Sequence, residues 1–208
     1  GLEKGKIKRN TTYDCLGKLR VGNRDFKCWN THGRMDVILA LAHSCDVFFY
    51  RTGLALGAQV IYDYAVKFGL GKPTGIDIPY EASGFVPSPL WRKISKMKNW
   101  FDGDTANFSI GQGELLTTPI QMAKATSVFA NGGLLVTPFL VKAVDGQDMT
   151  MHKKHVSKLP VKNSTIDLVR LGLRGAVTEP GGTASVLNIS GVAVAGKTGT
   201  AQAIGGSP

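Results

Sequence analysis

Long apolar runs are missing from this 208-residue chain. No stretch approaches the ~18 consecutive apolar residues that a membrane span needs. The first residues also lack the charged, apolar and small-residue succession of a secretory leader. The chain as given is therefore expected to be soluble, with any anchor belonging to a longer parent upstream. Cysteine is scarce as well, limited to Cys15, Cys28 and Cys45. An odd number excludes a complete set of internal disulfides, and no Cys-x-x-Cys pair is present. Acidic residues are outnumbered, 15 against 25 Lys and Arg, for a formal net charge of +10. That balance favours anionic partners. The basic residues are scattered, however, apart from short groups such as Lys4 to Arg9 and Arg92 to Lys98. There is no aromatic-interleaved basic strip, helix-turn-helix or zinc-finger pattern, so nucleic acid is not an expected partner and the charge reads as a solvated surface. Internal repeats and low-complexity segments are also absent.

What is there is enough for one domain with a core: 43% hydrophobic and 19% charged residues. Residues 1–34 are polar and glycine-punctuated, and read as loop with short strands. From Asp36 to Tyr50 the apolar positions Val37, Ile38, Leu41, Phe48 and Phe49 suit helix. Ser44-Cys45-Asp46 interrupts them, predicting two helices with a tight junction. A further helix is predicted over Gln59–Phe68, stopped by Gly69 and Gly71. Residues 71–108 hold four of the nine prolines and read as a long irregular loop. Thr118-Pro119-Ile120-Gln121 combines an N-cap hydroxyl, proline at the first helical position and a capping-box glutamine, predicting a helix to Ala130 that stops at Asn131-Gly132-Gly133. Strand is expected over Leu134–Lys142, with Pro138 at an edge or bend. Helix follows over Ser164–Val177, a break at Gly181-Gly182, and a short apolar strand over Val192–Ala195.

Three motifs could carry chemistry. Lys197-Thr198-Gly199-Thr200 offers a fixed positive charge and two hydroxyls for a carboxylate, with a glycine that leaves room for another backbone alongside. Alone it is also an ordinary polar turn. The stretch Gly191 to Thr198 satisfies the Walker A spacing, but Val-Ala-Val-Ala favours strand over an open phosphate loop. Gly199, Gly205 and Gly206 are poor helix material after the lysine, which argues against nucleotide binding. Ser44-Cys45-Asp46 places a hydroxyl two residues from a carboxylate, able to shuttle a proton, although serine and aspartate are also common helix caps. Ser109-Ile110-Gly111-Gln112-Gly113-Glu114 reads as a tight turn beneath a site.

Taken in order, Ser-x-Asp, then Gly-Gln-Gly with Thr-Pro-Ile-Gln-Met-Ala, then Gly-Lys-Thr-Gly-Thr-Ala-Gln, these pieces resemble the transpeptidase domain of class B penicillin-binding proteins. The resemblance covers about Gly1 to Gln202. The wording His-Ser-Cys-Asp-Val-Phe-Phe-Tyr around Ser44 is similar to the elongation, rod-shape type. The resemblance implies an α+β (α/β sandwich) fold of the penicillin-binding transpeptidase and serine β-lactamase kind, incomplete here, with helices packed on an antiparallel sheet. It implies a peptidoglycan D,D-transpeptidase that cross-links stem peptides through an acyl-serine and is acylated by β-lactams. Partners would be a glycosyltransferase of the elongation machinery and a membrane anchor, at the periplasmic face of the inner membrane. A β-lactam-binding sensor on the same fold is the alternative.

By the family's three motifs, Ser-x-x-Lys, Ser-x-Asn/Asp and Lys-Thr-Gly, Ser44 matches the proton-relaying serine and Asp46 the residue on the substrate side. Lys197 matches the third-motif lysine. Thr198, Gly199 and Thr200 match the substrate-carboxylate and oxyanion positions. The nucleophilic Ser-x-x-Lys does not precede Ser44, so the chain alone is expected to be inactive. Ser95-Lys96-Met97-Lys98 matches the pattern but comes after Ser44, in what reads as a basic loop. Asp14, Cys28, His32 and Cys45 form a donor set that suits tetrahedral zinc. The resemblance implies a metal site here, as in some elongation-type relatives at corresponding positions, with Cys28 standing where they have an acidic ligand and a shorter spacing to His32. Such a zinc would be structural, fixing residues 1–34 to the second motif.

Overall fold

The computed structural model describes residues 1–149 and 156–201; Gln202, Gly205 and Gly206 of the motif region lie outside them. The chain is α+β and divides into two compact units.

The first unit comprises Gly1–Gly57, Phe101–Gly113 and the chain from Asp167 onward. Two antiparallel ribbons open it: β1 (Tyr13–Cys15) with β4 (Gly33–Met35), and β2 (Lys18–Val21) with β3 (Arg24–Lys27). Helix α1 (Val37–Ala42) starts where the Asp36 carboxylate accepts from the N–H groups of Ile38 and Leu39. Helix α2 (Asp46–Leu56) follows after three residues and packs against a later helix, Asp102–Ser109. Val47, Phe48 and Ala106 are fully buried in the core this makes, with Cys15, Met35 and Val37 around them. The predicted pair of helices with a tight junction is thus present. The last helix of the chain, Asn163–Thr178, approaches α1 so closely that a Cβ on Gly172 would lie 2.6 Å from Leu41 and one on Gly175 3.1 Å from Ala42. Two glycines one turn apart therefore let this helix press on α1 and support the residues that follow it.

The second unit comprises Ala58–Trp100 and Glu114–Ile166. It holds α3 (Ala58–Lys67), α4 (Pro89–Lys96), the helix Pro119–Ala130, and four short strands after it. In chain order Asp102–Ser109 is α5, Pro119–Ala130 is α6 and Asn163–Thr178 is α7. Helix α6 has the expected reciprocal box: Gln121 N–H donates to Thr118 Oγ1, and Thr118 N–H to Gln121 Oε1. The buried Gln121 amide also donates to the carbonyls of Lys72 (2.7 Å) and Ser83 (2.8 Å). It thereby tethers the irregular chain 71–88 to the helix.

Three expectations are corrected. Residues 71–108 are not one irregular loop, since α4 and α5 form inside them. The reason is capping: Ser88 Oγ accepts from Trp91 N–H with Pro89 at the first helical position, and Asp104 takes the Phe101 N–H at the start of α5. The strand expected over Leu134–Lys142 is only β5 (Leu134–Val136), paired with β8 (Val156–Lys158); Pro138 cannot donate to a ladder. Val192–Ala195 is not a strand. Its neighbourhood is held by α7 instead, through Gly196 N–H to Leu173 O (3.0 Å) and Arg174 to Val194 O (2.6 Å). The remaining ribbon pairs β6 (Ala143–Val144) with β7 (Gln147–Asp148), so among the described residues the antiparallel pairing occurs as four two-stranded ribbons.

Candidate functional site

Helix α1 ends with the hydrogen bonds Cys45 N–H to Ala40 O (3.0 Å) and Ser44 N–H to Leu41 O (3.4 Å). This is a Schellman ending, and its pivot normally adopts the left-handed conformation and is glycine. Here the pivot is Ser44, with φ of 52°. A side chain is kept where the backbone disfavours one, at about 1 kcal/mol of strain. That side chain meets the third motif: Lys197 Nζ donates to Ser44 Oγ at 2.7 Å, across 153 residues of sequence. Lys197 Nζ also donates to Thr198 O at 3.1 Å. Although Lys197 is exposed overall, crowding by protein atoms lowers its pKa, and the nearby Asp46 charge raises it in partial compensation. Burial raises the pKa of Asp46, opposed by the Cys28 thiol, the Trp29 N–H and the charge of Lys197. Asp46 is thus influenced by Cys28 and Trp29 and lies within the electrostatic reach of the lysine.

The third-motif residues are held individually. Thr198 Oγ1 donates to Thr183 Oγ1 (2.9 Å), and the Gln112 amide donates to Thr200 O (3.1 Å). Gly111 and Gly113 have φ of 77° and 86°, so a turn that other residues resist presents Gln112 between them. A Cβ on Gly199 would meet nothing within 4 Å, which leaves its face clear. No helix begins at Lys197, and its ammonium is engaged by Ser44, so the Walker A match lacks its structural context. The Ser95–Lys98 match fails for a local reason. Helix α4 ends at Lys96 and Met97 turns left-handed (φ 49°), so Ser95 and Lys98 do not share a helical turn.

A second cluster adjoins the junction. The ligand-type atoms of Cys15, Cys28, His32 and Cys45 all lie within 4.8 Å of one another. Asp14 is not among them. Strand alternation sends Cys15 into the core and Asp14 out to solvent, so the expected carboxylate is replaced by a third thiol. His32 Nδ1 stands 3.6 Å from Cys15 Sγ and 3.5 Å from Cys28 Sγ. The nitrogen–sulfur edge of a tetrahedral zinc site, from ordinary bond lengths, is about 3.6 Å. The donor chemistry and these separations fit zinc. Trp29 adds a strut, its indole N–H donating to His43 O and Ser44 O, both at 3.0 Å. Cys15, Gln112, Thr183 and Trp29 were not assigned to the site from sequence. Period-two alternation in β1 was the available signal for Cys15, and the paired glycines for Gln112.

The whole chain, residues 1–208, matches the family described as penicillin binding protein transpeptidase domain. It is 35% identical over 213 residues to the peptidoglycan D,D-transpeptidase MrdA of Escherichia coli K12, covering 98% of this chain and 34% of that protein. The solved complex of penicillin-binding protein PBP2 with MreC from Helicobacter pylori superposes with a TM-score of 0.83 at 32% identity, covering 94% of this chain and 36% of that one. A peptidoglycan synthase complex, studied for its coordination of polymerization and crosslinking, gives 0.85 at 32%, covering 98% and 34%. A fold combining helices with small antiparallel sheets, and a serine facing a lysine across it, define a penicillin-binding type of domain. The chain belongs to the penicillin-binding protein transpeptidase family, with relatives of the rod-shape type, and spans about a third of the length of the relatives it matches.

Proposed function

We propose that these residues supply the second and third motifs of a serine-type peptidoglycan D,D-transpeptidase. The observation that carries the reading is the 2.7 Å contact between Lys197 Nζ and Ser44 Oγ. A nucleophilic serine, contributed by the longer protein, attacks the penultimate D-alanine carbonyl of a stem peptide. Ser44 relays its proton to the leaving amine, with Lys197 orienting the hydroxyl and supplying positive potential. Thr198 and Thr200 face the substrate carboxylate. The Thr200 N–H forms half of the oxyanion hole, where one donor contributes about 3 kcal/mol; Gln112 fixes the carbonyl of the same residue. An amine from a second stem then takes the acyl group. β-Lactams mimic the donor and remain on the serine.

Cys15, Cys28, His32 and Cys45 hold a structural zinc in this reading. Four protein ligands leave no open position, so the metal supplies cross-linking of the chain and no chemistry. The cluster joins β1, the turn before β4 and the N-cap of α2, and so stiffens the backbone on which Ser44 sits. The enzyme acts at the outer face of the inner membrane, and among the described residues no helix is long and apolar enough to cross it. A glycosyltransferase of the elongation machinery and an MreC-type protein are the proposed partners; relatives are found in complex with MreC and in a peptidoglycan synthase complex that coordinates polymerization and crosslinking.

The test is labelling of the full-length protein by fluorescent penicillin. Wild type labels, Lys197→Ala does not, and the 208-residue chain alone does not. Normal labelling of Lys197→Ala overturns the assignment. Stable labelling with no cross-linking of stem peptides would instead identify a β-lactam sensor.

A further inference from the structure

Thr183 lies outside the three motifs, yet it touches the neighbourhoods of two. Its segment doubles back over the end of α7. Gly181 has φ of 76°, and a Cβ on Gly182 would sit 2.5 Å from Ala176 O and 2.7 Å from Gly175 O, so only glycine passes there. Ala184 N–H closes the turn onto Ala176 O at 2.8 Å. The half-buried Thr183 is thereby delivered to two places at once. Its N–H (3.2 Å) and its hydroxyl (3.3 Å) both donate to Ala42 O, at the end of α1 and two residues before Ser44. Its Oγ1 also accepts from the Thr198 hydroxyl at 2.9 Å.

A hydroxyl has one proton and two lone pairs. While the Thr198 proton is spent on Thr183, Thr198 has none to give to an anion. Ala42 O, by contrast, already receives the Thr183 N–H, so the Thr183 O–H can leave it without stranding a buried carbonyl. The pair is therefore free to reverse, Thr183 donating to Thr198 and Thr198 donating outward. We propose that Thr183 is a positioning residue for the third motif, turning its proton to Thr198 when a ligand carboxylate binds so that Thr198 donates to that carboxylate. Two O–H bonds reorient and no proton leaves the pair. The inference rests on the transpeptidase reading above and adds to it a residue that reading does not use.

The experiment measures acylation of the full-length protein by a penicillin and by the methyl ester of the same penicillin, which lacks the carboxylate. Half-saturating concentration and maximal rate are determined separately. Thr183→Val removes the hydroxyl at nearly constant volume, and Thr183→Ser keeps it. The valine variant frees the Thr198 proton but removes the donor that holds and polarises the Thr198 oxygen while its proton faces the carboxylate, so the half-saturating concentration of the acid should rise, by up to about tenfold. Its maximal rate should stay near wild type, the ester should react alike with both proteins, and the serine variant should restore the acid. Should the valine variant be recovered unfolded, the acid-to-ester ratio of Thr183→Ala carries the same test. The proposal is overturned if acid and ester lose equally, if the valine variant matches wild type on the acid, or if serine fails to rescue. A wild-type protein that penicillin does not label sinks the transpeptidase reading itself, and this inference with it.

Discussion

Ser44 occupies a position built for glycine, and replacing it separates folding from function. In Ser44→Gly the left-handed pivot loses its strain, about 1 kcal/mol of relief. Against this stand the extra freedom of glycine in the unfolded chain, about 0.4–1 kcal/mol, and the loss of one hydrogen bond to Lys197, about 0.5–1.5 kcal/mol. Net stability should lie between about that of wild type and about 1.5 kcal/mol below it. Ser44→Ala loses the same hydrogen bond but keeps the strain without gaining glycine's freedom in the unfolded chain, so it should be less stable than the glycine variant by up to about 0.6 kcal/mol. Both lose the proton relay, which contributes on the order of 10²–10⁴ in rate. The assay pairs denaturant midpoints with the rate of penicillin acylation in the full-length protein. An alanine variant more stable than the glycine one would refute the conformational argument. A glycine variant acylated at the wild-type rate would refute the role of the hydroxyl.

Four further outcomes follow from the geometry. Because crowding holds the Lys197 pKa below the ordinary lysine value, the ammonium is lost at a lower pH than for a free lysine. The alkaline limb of the acylation profile should fall correspondingly early, and it should vanish in Lys197→Arg, which does not titrate there; a limb at the ordinary lysine pKa would contradict this. Metal analysis of the purified protein should find about one zinc per chain, lowered in Cys15→Ser and unchanged in Asp14→Ala, since only the first projects into the cluster; the reverse pattern would restore Asp14 as the ligand. Gln112→Leu should reduce the maximal acylation rate about tenfold with little change in stability, because it frees Thr200 O at an exposed position; an unchanged rate would show that Gln112 does not brace the motif. Gln121→Leu should destabilise by about 2–5 kcal/mol, since it strands the carbonyls of Lys72 and Ser83 and the N–H of Thr118; a denaturation midpoint near wild type would contradict that tether.

Much of this molecule was legible along the chain because the signals are local. The cap at Thr118, the stop at Asn131-Gly132-Gly133, the break at Ser44-Cys45-Asp46 and the helix around Ser164–Val177 each depend on neighbours within a turn or two. The same logic applied to Ser88-Pro89 predicts α4, and it was outweighed there by the prolines around it. The strand expected at Val192–Ala195 was not local in this sense. A strand needs a ladder partner, and the groups available to residues 194–196 belong to α7.

Residue types alone determined that a serine, an aspartate, a lysine and two threonines were the candidates, and that thiols and an imidazole near the start could hold zinc. Which atoms meet was decided by the tertiary structure. Glycines in α7 let that helix press on α1, the left-handed pivot aims Ser44 at Lys197, and the turn after α7 carries Thr183 to Thr198. The side of β1 that is buried chose Cys15 over Asp14. Contacts between residues 153 positions apart depend on how closely helices approach and which face a strand turns inward, and those follow from packing, not from spacing along the chain.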